Sequence, residues 1–161
     1  MKRYGLVGYP LGHSFSQKYF SEKFEGLNIS HSHTYHVFEL ESLSGFLDIW
    51  DRHPDLEGVN ITIPYKIEIM PFLDEIDDSA AGVKAVNVIK KKGNKLIGFN
   101  SDVFGFKQSL DPWLMGVELE ALIFGSGGSS LAVQAGLQAL NIPFKIVSRE
   151  ATKGDLTYLQ L

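Results

Sequence analysis

The sequence contains no cysteine, and this absence removes whole classes of chemistry. The chain has no thiol for a disulfide, for a thiolate nucleophile or for a zinc-thiolate site. A metal would have to bind histidine and carboxylate side chains. His31, His33 and His36 are close in sequence, but the alternation across residues 33–38 separates them over two faces of a strand, and no carboxylate stands among them. We therefore predict no metal site.

The chain also lacks long apolar runs and an excess of basic residues. No stretch approaches the ~20 apolar residues of a membrane-spanning helix, and residues 1–5 lead into a strand pattern rather than a signal peptide. There are 15 Lys and Arg against 19 Asp and Glu, which gives a net charge of -4 without the broad basic face that nucleic acids require. We expect a cytoplasmic protein with neither a nucleic-acid nor a membrane partner.

Short apolar runs alternate with amphipathic segments, which is typical of a parallel α/β fold. The pattern predicts strands at 4–7, 34–38, 58–61, 85–89 and 96–99, with helices at 17–27, at 43–50 and after a cap at Ser101 or Asp102. A stretch rich in helix breakers near 111–117 ends this part. A second pattern then predicts a strand at 119–124, a helix at 129–140 and a strand at 144–147.

A glycine-rich loop opens this second pattern. Its residues stand between an apolar strand and an apolar helix, and they are Gly125, Ser126, Gly127, Gly128 and Ser129. In that setting backbone N–H groups approach a pyrophosphate at the positive end of the helix. The third glycine of the usual fingerprint is a serine here. A dinucleotide site is favoured, and a tight turn without a ligand is the alternative.

Ser148 and Arg149 follow the next strand, about twenty residues after this loop, where a ribose-binding acid often stands. A guanidinium forms paired hydrogen bonds with a phosphate, so NADP is favoured over NAD. Glu150 leaves open that the arginine is neutralised or that the acid itself binds a ribose. A solvated arginine without a function is a further alternative.

Two hydroxyls, Ser14 and Ser16, stand at the start of a helix in the loop of residues 8–16. A helix N-cap explains one of them but not both. Two hydroxyls beside the free N–H groups of a helix start suit a small anion such as a carboxylate.

Polar side chains interrupt the apolar strands at positions where open α/β sheets bind ligands. Asn60 and Thr62 alternate along one strand whose exit delivers Lys66, Asn87 lies in another apolar run, and Asp102 follows a strand at a helix start. Lys66 and Asp102 have the chemistry to share removal of a proton from an alcohol during hydride transfer. Burial lowers the pKa of a lysine and a neighbouring carboxylate raises it, so the two effects oppose each other.

These segments resemble the shikimate dehydrogenase family over nearly the whole chain. Residues 8–16 resemble its carboxylate-binding segment, residues 60–66 the segment of its catalytic lysine, residues 85–87 that of a substrate-contacting asparagine, and residues 100–102 that of its catalytic aspartate. The resemblance implies NADP-linked, reversible reduction of 3-dehydroshikimate to shikimate, in the route to chorismate and aromatic amino acids. It implies that Ser14 and Ser16 hold the carboxylate and that the ring hydroxyls are held by Thr62, Asn87, Lys66 and Asp102.

Three departures from the family pattern stand out. Gln17 and Ser101 replace a usual proline and threonine, and residues 148–150 read Ser-Arg-Glu instead of Asn-Arg-Thr. The resemblance also implies that the chain is incomplete. We expect a substrate-binding domain at 1–102 that lacks its carboxy-terminal helices, a connecting helix and linker at 103–117, and the first βαβ unit of a Rossmann-like NADP-binding domain at 118–161.

Two alternatives stay open within this interpretation. One is an enzyme of the same family that prefers quinate, and the other is a binding fragment that retains an anion pocket without turnover. The exposed sheet edge of a shortened cofactor domain also favours a homo-oligomer.

Overall fold

The computed structural model describes residues 1–12, 14–114 and 119–161. The strands are β1 (Lys2–Gly8), β2 (His33–Glu39), β3 (Leu56–Ile61), β4 (Glu75–Ile76), β5 (Val88–Lys92), β6 (Lys95–Phe99), β7 (Ala121–Phe124), β8 (Phe144–Ser148) and β9 (Leu156–Thr157). The α-helices are α1 (Phe15–Gly26), α2 (Phe46–Arg52), α3 (Asp78–Ala81), α4 (Asp102–Leu110) and α5 (Gly128–Ala139). The chain divides into two compact units, Met1–Asp77 with Val86–Phe99, and Asp78–Ala85 with Asn100–Leu161.

The first unit contains a six-stranded sheet in the order β2-β1-β3-β5-β6-β4. β1 is parallel to β2 and to β3, and β4 is parallel to β6. β5 runs antiparallel to β6, with which it forms a hairpin, and it also pairs antiparallel with β3. Its turn contains Gly93 at a φ of 62°, a left-handed conformation that glycine adopts without steric cost. The expected α/β fold with mostly parallel strand pairing is confirmed.

Alternation along the central strands separates the core from the site. Side chains on a strand point to opposite faces in turn, and β1 pairs with β3 so that Leu6 lies beside Asn60 and Val7 beside Ile61. Val7 and Ile61 are buried in the core on one face. Asn60 and Leu6 therefore lie on the other face. A shift of one residue in register would exchange the two sets.

The second unit contains a three-stranded parallel sheet in the order β7-β8-β9. In this unit α4 packs closely on α5, since a Cβ built on Gly136 would lie 2.6 Å from Cδ1 of Phe106. Only glycine permits this approach of the two helices. A small apolar cluster completes the packing, and its buried members are Val83, Ala85 and Ala132.

The strand predicted at 85–89 is misplaced, because β5 spans Val88–Lys92. Lysines occupy the last three positions of this strand. The prediction ended the strand where the apolar residues end, but the hairpin continues through these lysines. The strand predicted at 119–124 begins later, at Ala121. Both α3 and α4 fall in the second compact unit. Residues 115–118, at the end of the expected linker, and His13 lie outside the described residues.

Candidate functional site

A cleft of about 690 Å³ lies in the first unit where β1 and β3 end. Its lining includes four hydroxyl side chains, those of Tyr9, Ser14, Ser16 and Thr62. The rest of the lining is largely apolar and includes Leu11 and Ile63. Few polar groups in a mostly apolar wall are typical of small-molecule sites.

The Ser14 hydroxyl is buried and has no hydrogen-bond partner among the described residues. Ser14 occupies the N-cap position of α1, yet its side chain makes no capping hydrogen bond. Helix capping therefore does not explain this hydroxyl. Buried polar atoms in native proteins are nearly always paired, so an unpaired one that lines a cleft indicates a ligand that supplies the missing partner.

The exits of β1 and β3 are held side by side by backbone hydrogen bonds. Thr62 N–H donates to the Val7 carbonyl over 2.9 Å, and Tyr9 N–H donates to the Ile63 carbonyl over 3.0 Å. Gly8 lies between them, and a Cβ at this position would be 2.5 Å from the Thr62 methyl group. Glycine at position 8 thus allows the serine-bearing loop to lie against Thr62.

Tyr35 connects two of the predicted site residues. Its hydroxyl donates to Oδ1 of Asn60 over 2.8 Å and is also hydrogen bonded to Ser16. Burial raises the pKa of Tyr35 far above its usual range, against the opposing effect of the Ser16 hydrogen bond. The ring stacks on Phe20 with centroids 4.5 Å apart. Our sequence analysis missed Tyr35, although its place on the same face of β2 as Val37 was visible in the alternation.

Lys66 and Asn87 belong to the same unit as the cleft. The Val86 N–H donates to the Lys66 carbonyl over 2.7 Å. Asn87 is buried, with its carbonyl accepting from Ile61 N–H and its N–H donating to the Phe99 carbonyl. The first unit therefore contains six of the predicted residues, namely Ser14, Ser16, Asn60, Thr62, Lys66 and Asn87.

Asp102 lies in the second unit and is the first residue of α4, as the sequence predicted. Its N–H donates to Oδ1 of Asn100 over 2.9 Å, and Nδ2 of Asn100 donates to the Ala85 carbonyl over 2.8 Å. Asn100 is therefore engaged in holding the helix start. The positive end of a helix stabilises a carboxylate at this position.

The glycine loop of the second unit leads from β7 into α5. Gly125 has a φ of 108°, which disfavours any residue with a side chain. Gly127 is the N-cap of α5, and apart from its two chain neighbours no described residue has an atom within 4 Å of the place where its Cβ would be. The open space beside the start of this helix suits a pyrophosphate, which the positive end of a helix stabilises. The Ser126 and Ser148 hydroxyls lie 3.3 Å apart and connect this loop with the end of β8.

The acid beside Arg149 is engaged elsewhere. Nζ of Lys153 donates to Oε1 of Glu150 over 2.9 Å, so this carboxylate has a cationic partner of its own. Arg149 is exposed and makes no hydrogen bond or ion pair with any described residue. Our sequence analysis missed Lys153, a second cation within four residues of Arg149.

The described residues contain neither a metal-binding cluster nor a membrane-spanning helix. Between residues 1 and 161, with 13 and 115–118 set aside, no group of three metal-binding side chains is present. The histidines of β2 bond to near neighbours instead, His33 to Ser32 over 2.9 Å and His36 to Thr34 over 3.1 Å. No helix in the same ranges has the length and apolarity needed to cross a membrane.

The fold and the two sites define an α/β protein with a hydroxyl-lined cleft in one unit and a nucleotide-type glycine loop in the other. Residues 6–89 match the family described as the shikimate dehydrogenase substrate binding domain. The chain belongs to the shikimate dehydrogenase family.

Known proteins of this family are similar along most of the chain. The NADP-dependent shikimate dehydrogenase of Bacillus subtilis is 37% identical over 82% of this chain and 48% of its own length. The crystal structure of shikimate dehydrogenase 1 from Peptoclostridium difficile matches 95% of this chain and 59% of its own, with 35% identity and a TM-score of 0.84. The Thermus thermophilus enzyme in complex with NADP(H) and shikimate matches with 29% identity and a TM-score of 0.82. The chain spans about half the length of the curated relatives it matches.

Proposed function

We propose that this chain carries the shikimate site and the first part of the NADP site of an enzyme that interconverts 3-dehydroshikimate and shikimate. The observation that carries the proposal is the buried hydroxyl of Ser14, which has no partner among the described residues and lies in the cleft that Ser16 and Thr62 also line. A carboxylate oxygen would supply its missing partner. The names of the relatives, and a related structure that binds both ligands, support the choice of substrate and cofactor.

The proposed roles follow from the chemistry of each residue. Ser14 and Ser16 donate hydrogen bonds to the carboxylate of shikimate, and the side chains proposed to bind the ring hydroxyls are Asn60, Thr62 and Asn87. Lys66 and Asp102 are retained as the proposed catalytic pair on chemical grounds, one to exchange the proton of the reacting hydroxyl and the other to orient that hydroxyl. The cofactor supplies or accepts the hydride when it is bound.

The proposed NADP site rests on backbone groups and on cations. The N–H groups that begin α5, after Gly125 and Gly127, suit the pyrophosphate. Arg149 is the proposed partner of the 2′-phosphate, and the pairing of Glu150 with Lys153 supports this because the acid is not directed to Arg149.

Titration of the purified chain with shikimate tests the substrate site. We expect saturable binding by calorimetry, and Ser14→Ala should weaken it about tenfold through the loss of a hydrogen bond to a charged group. Ser44→Ala removes an exposed hydroxyl of the same unit and serves as the matched control. Absence of binding, or equal affinities for the two variants, would contradict the proposal.

Turnover separates the enzyme from the alternative of a binding fragment. Incubation with shikimate and NADP+ should produce reduced nicotinamide, which is followed by its absorbance. Binding of shikimate without this product would favour the binding fragment.

Quinate is the alternative substrate, and it carries an additional hydroxyl on the carbon that bears the carboxylate. Leu11 and Phe15 give the cleft apolar lining near the serines, which supports shikimate as the preferred ligand because a buried hydroxyl without a partner is costly. Parallel titrations with the two compounds decide between them.

The family resemblance also predicts helices that follow the cofactor domain and return to the first one. A groove of about 600 Å³ in the first unit would suit such a segment, because Tyr4, Phe20 and Phe24 contribute aromatic lining. Asn60 and Tyr35 line this groove as well, and neither lines the cleft of Ser14. A chain extended to the length of its relatives should protect these positions from hydrogen exchange. Unchanged protection would argue against this placement.

The second unit supports a proposal of self-association. In the part of the chain that the structure describes, β7 pairs with β8 alone, and Leu122 and Phe124 are exposed on this edge strand. Unpaired, apolar edge strands promote pairing with another chain. Light scattering should show a dimer or larger species that Leu122→Lys reduces, and a monomer would contradict this proposal. The cytoplasmic location and the lack of nucleic-acid and membrane partners stay predictions, and cell fractionation tests the first.

A further inference from the structure

Glu39 is the last residue of β2 and lies beside Gly8 in the register of β1 and β2. Its carboxylate accepts a hydrogen bond from the Leu11 N–H over 2.7 Å. Leu11 lines the cleft and belongs to the loop that leads to the two serines. A short hydrogen bond to an ionised acceptor is among the stronger kinds, so this contact connects the end of β2 with the serine loop.

The residue that follows β2 is held by a second hydrogen bond. The buried Tyr65 donates its hydroxyl proton to the Leu40 carbonyl over 2.6 Å, and burial raises the pKa of Tyr65, which keeps it a donor. The Leu40 N–H donates to the Gly8 carbonyl over 3.1 Å. Tyr65 immediately precedes Lys66, so one series of contacts links the lysine segment with the serine loop by way of Leu40 and Glu39.

We propose that Glu39 is a positioning residue, which sets the distance between the serine loop and the strand exit that carries Thr62 and Lys66. Glu39 acts through Leu11 rather than through the substrate. This inference rests on the proposed function, because the loop it positions is the proposed carboxylate site. It assigns a role to an exposed acid that neither the strand pattern nor the family resemblance singled out.

Glu41 provides a matched control from the same segment. It is also an exposed acid, but it accepts only a long hydrogen bond of 3.3 Å from the Tyr9 hydroxyl at the tip of a side chain. It does not contact the backbone of the loop in the described structure. Glu39→Gln is the conservative variant, since its amide oxygen still accepts from the Leu11 N–H without the charge.

Hydrogen exchange of the ligand-free protein tests the anchor directly. We expect the Leu11 amide to exchange about tenfold faster in Glu39→Ala, whereas Glu39→Gln and Glu41→Ala should stay within about threefold of the original chain. Equal exchange in Glu39→Ala and Glu41→Ala would overturn the anchoring role, whether or not shikimate binds.

Shikimate titration tests the consequence for the site. Glu39→Ala should weaken binding about tenfold, Glu41→Ala should leave it unchanged, and Glu39→Gln should restore most of it. If Glu39→Gln is as weak as Glu39→Ala, the charge acts rather than the anchor, and the proposal is wrong. Faster Leu11 exchange in Glu39→Ala without weaker binding overturns the positioning role alone. Failure of the original chain to bind shikimate counts against the proposed function, and the exchange data still decide the anchor.

Discussion

The two compact units prepare their candidate sites in different ways. In the first unit, Asn60 stands on a strand whose opposite face is core and is hydrogen bonded to Tyr35, while the other site side chains lie in loops or at the start of α1. In the second unit, the site consists of a glycine loop with open space above it and the exposed side chain of Arg149. The difference teaches that, under the proposed function, the substrate would be bound by side chains and the cofactor by backbone geometry and charge.

The two units also differ in the size and burial of their apolar side chains. The first unit buries large side chains such as Phe46, Leu56 and Ile89 almost completely. The second leaves Leu122 and Phe124 exposed on β7, and the buried members of its apolar cluster, Val83, Ala85 and Ala132, are small. The buried core of the first unit supports the strands next to its site residues, and a loop that offers N–H groups needs less support.

Lys66→Ala should have the largest effect and tests whether the chemistry depends on a side chain of the first unit. We expect turnover of shikimate to fall by about 10²- to 10⁴-fold, because a positioned proton-transfer group is lost. Lys95→Ala, at an exposed residue paired with Glu75, should leave the rate unchanged. Retention of the rate in Lys66→Ala, followed by reduced-nicotinamide absorbance, would remove the lysine from the mechanism.

Phe46→Ala tests the contrast between the two cores. Its ring is fully buried against Trp50 and Phe72, so truncation should lower the free energy of unfolding by about 3–5 kcal/mol. Leu122→Ala, in the exposed strand of the second unit, should change it by less than about 0.5 kcal/mol. Urea unfolding measures both, and similar losses would show that the cores do not differ as described.

Arg149→Ala tests whether cofactor selectivity rests on this exposed charge. NADP+ affinity should fall by about tenfold or more through the loss of charge-assisted hydrogen bonds, while NAD+ affinity stays unchanged. Arg52→Ala removes an exposed arginine of the first unit and should affect neither cofactor. Equal losses for NADP+ and NAD+ would contradict a role at the 2′-phosphate.

His36 provides the smallest expected effect, a pH dependence of the first unit. Partial burial, followed by Arg3 and His53, lowers the pKa of His36 below its ordinary value of 6.5. The folded state therefore disfavours the protonated ring. The stability contribution is present above pH 6.5 and is lost as the pH falls through the lowered pKa. Between neutral and mildly acidic pH, the melting temperature of His36→Gln should fall slightly less than that of the original chain. Identical changes of melting temperature with pH in the two proteins would refute the effect.

Much of the fold could be predicted, because alternation and glycine placement report directly on backbone structure. β1, β2, β3, β6 and β8 lie within two residues of their predicted positions at each end. β5 was misplaced because its exposed end is formed by lysines, and the short β4 and β9 carry too few residues to produce a pattern.

The candidate site was less completely predicted. Hydroxyl and amide side chains at strand ends indicated most of its members, because such residues are unusual among apolar strands. The sequence did not indicate Tyr35 or Glu39, because their partners, Asn60 and Leu11, are remote in sequence. It did not indicate Lys153 either, whose partner Glu150 stands three residues earlier. Tyrosine on a strand and glutamate or lysine at an exposed position are common, so these residue types gave no signal of a site.

The sequence by itself determined which residue types are available: two serines at a helix start, a lysine after a proline, a glycine loop after a strand and no thiol. It also determined the α/β order, because periodicity is a local property. Only the tertiary structure decided that the Ser14 hydroxyl makes no capping hydrogen bond to α1 and lies in a cleft without a partner among the described residues. Only the tertiary structure brought Glu39 to the Leu11 N–H of the serine loop, because the pairing of β1 with β2 joins segments that are far apart in the chain.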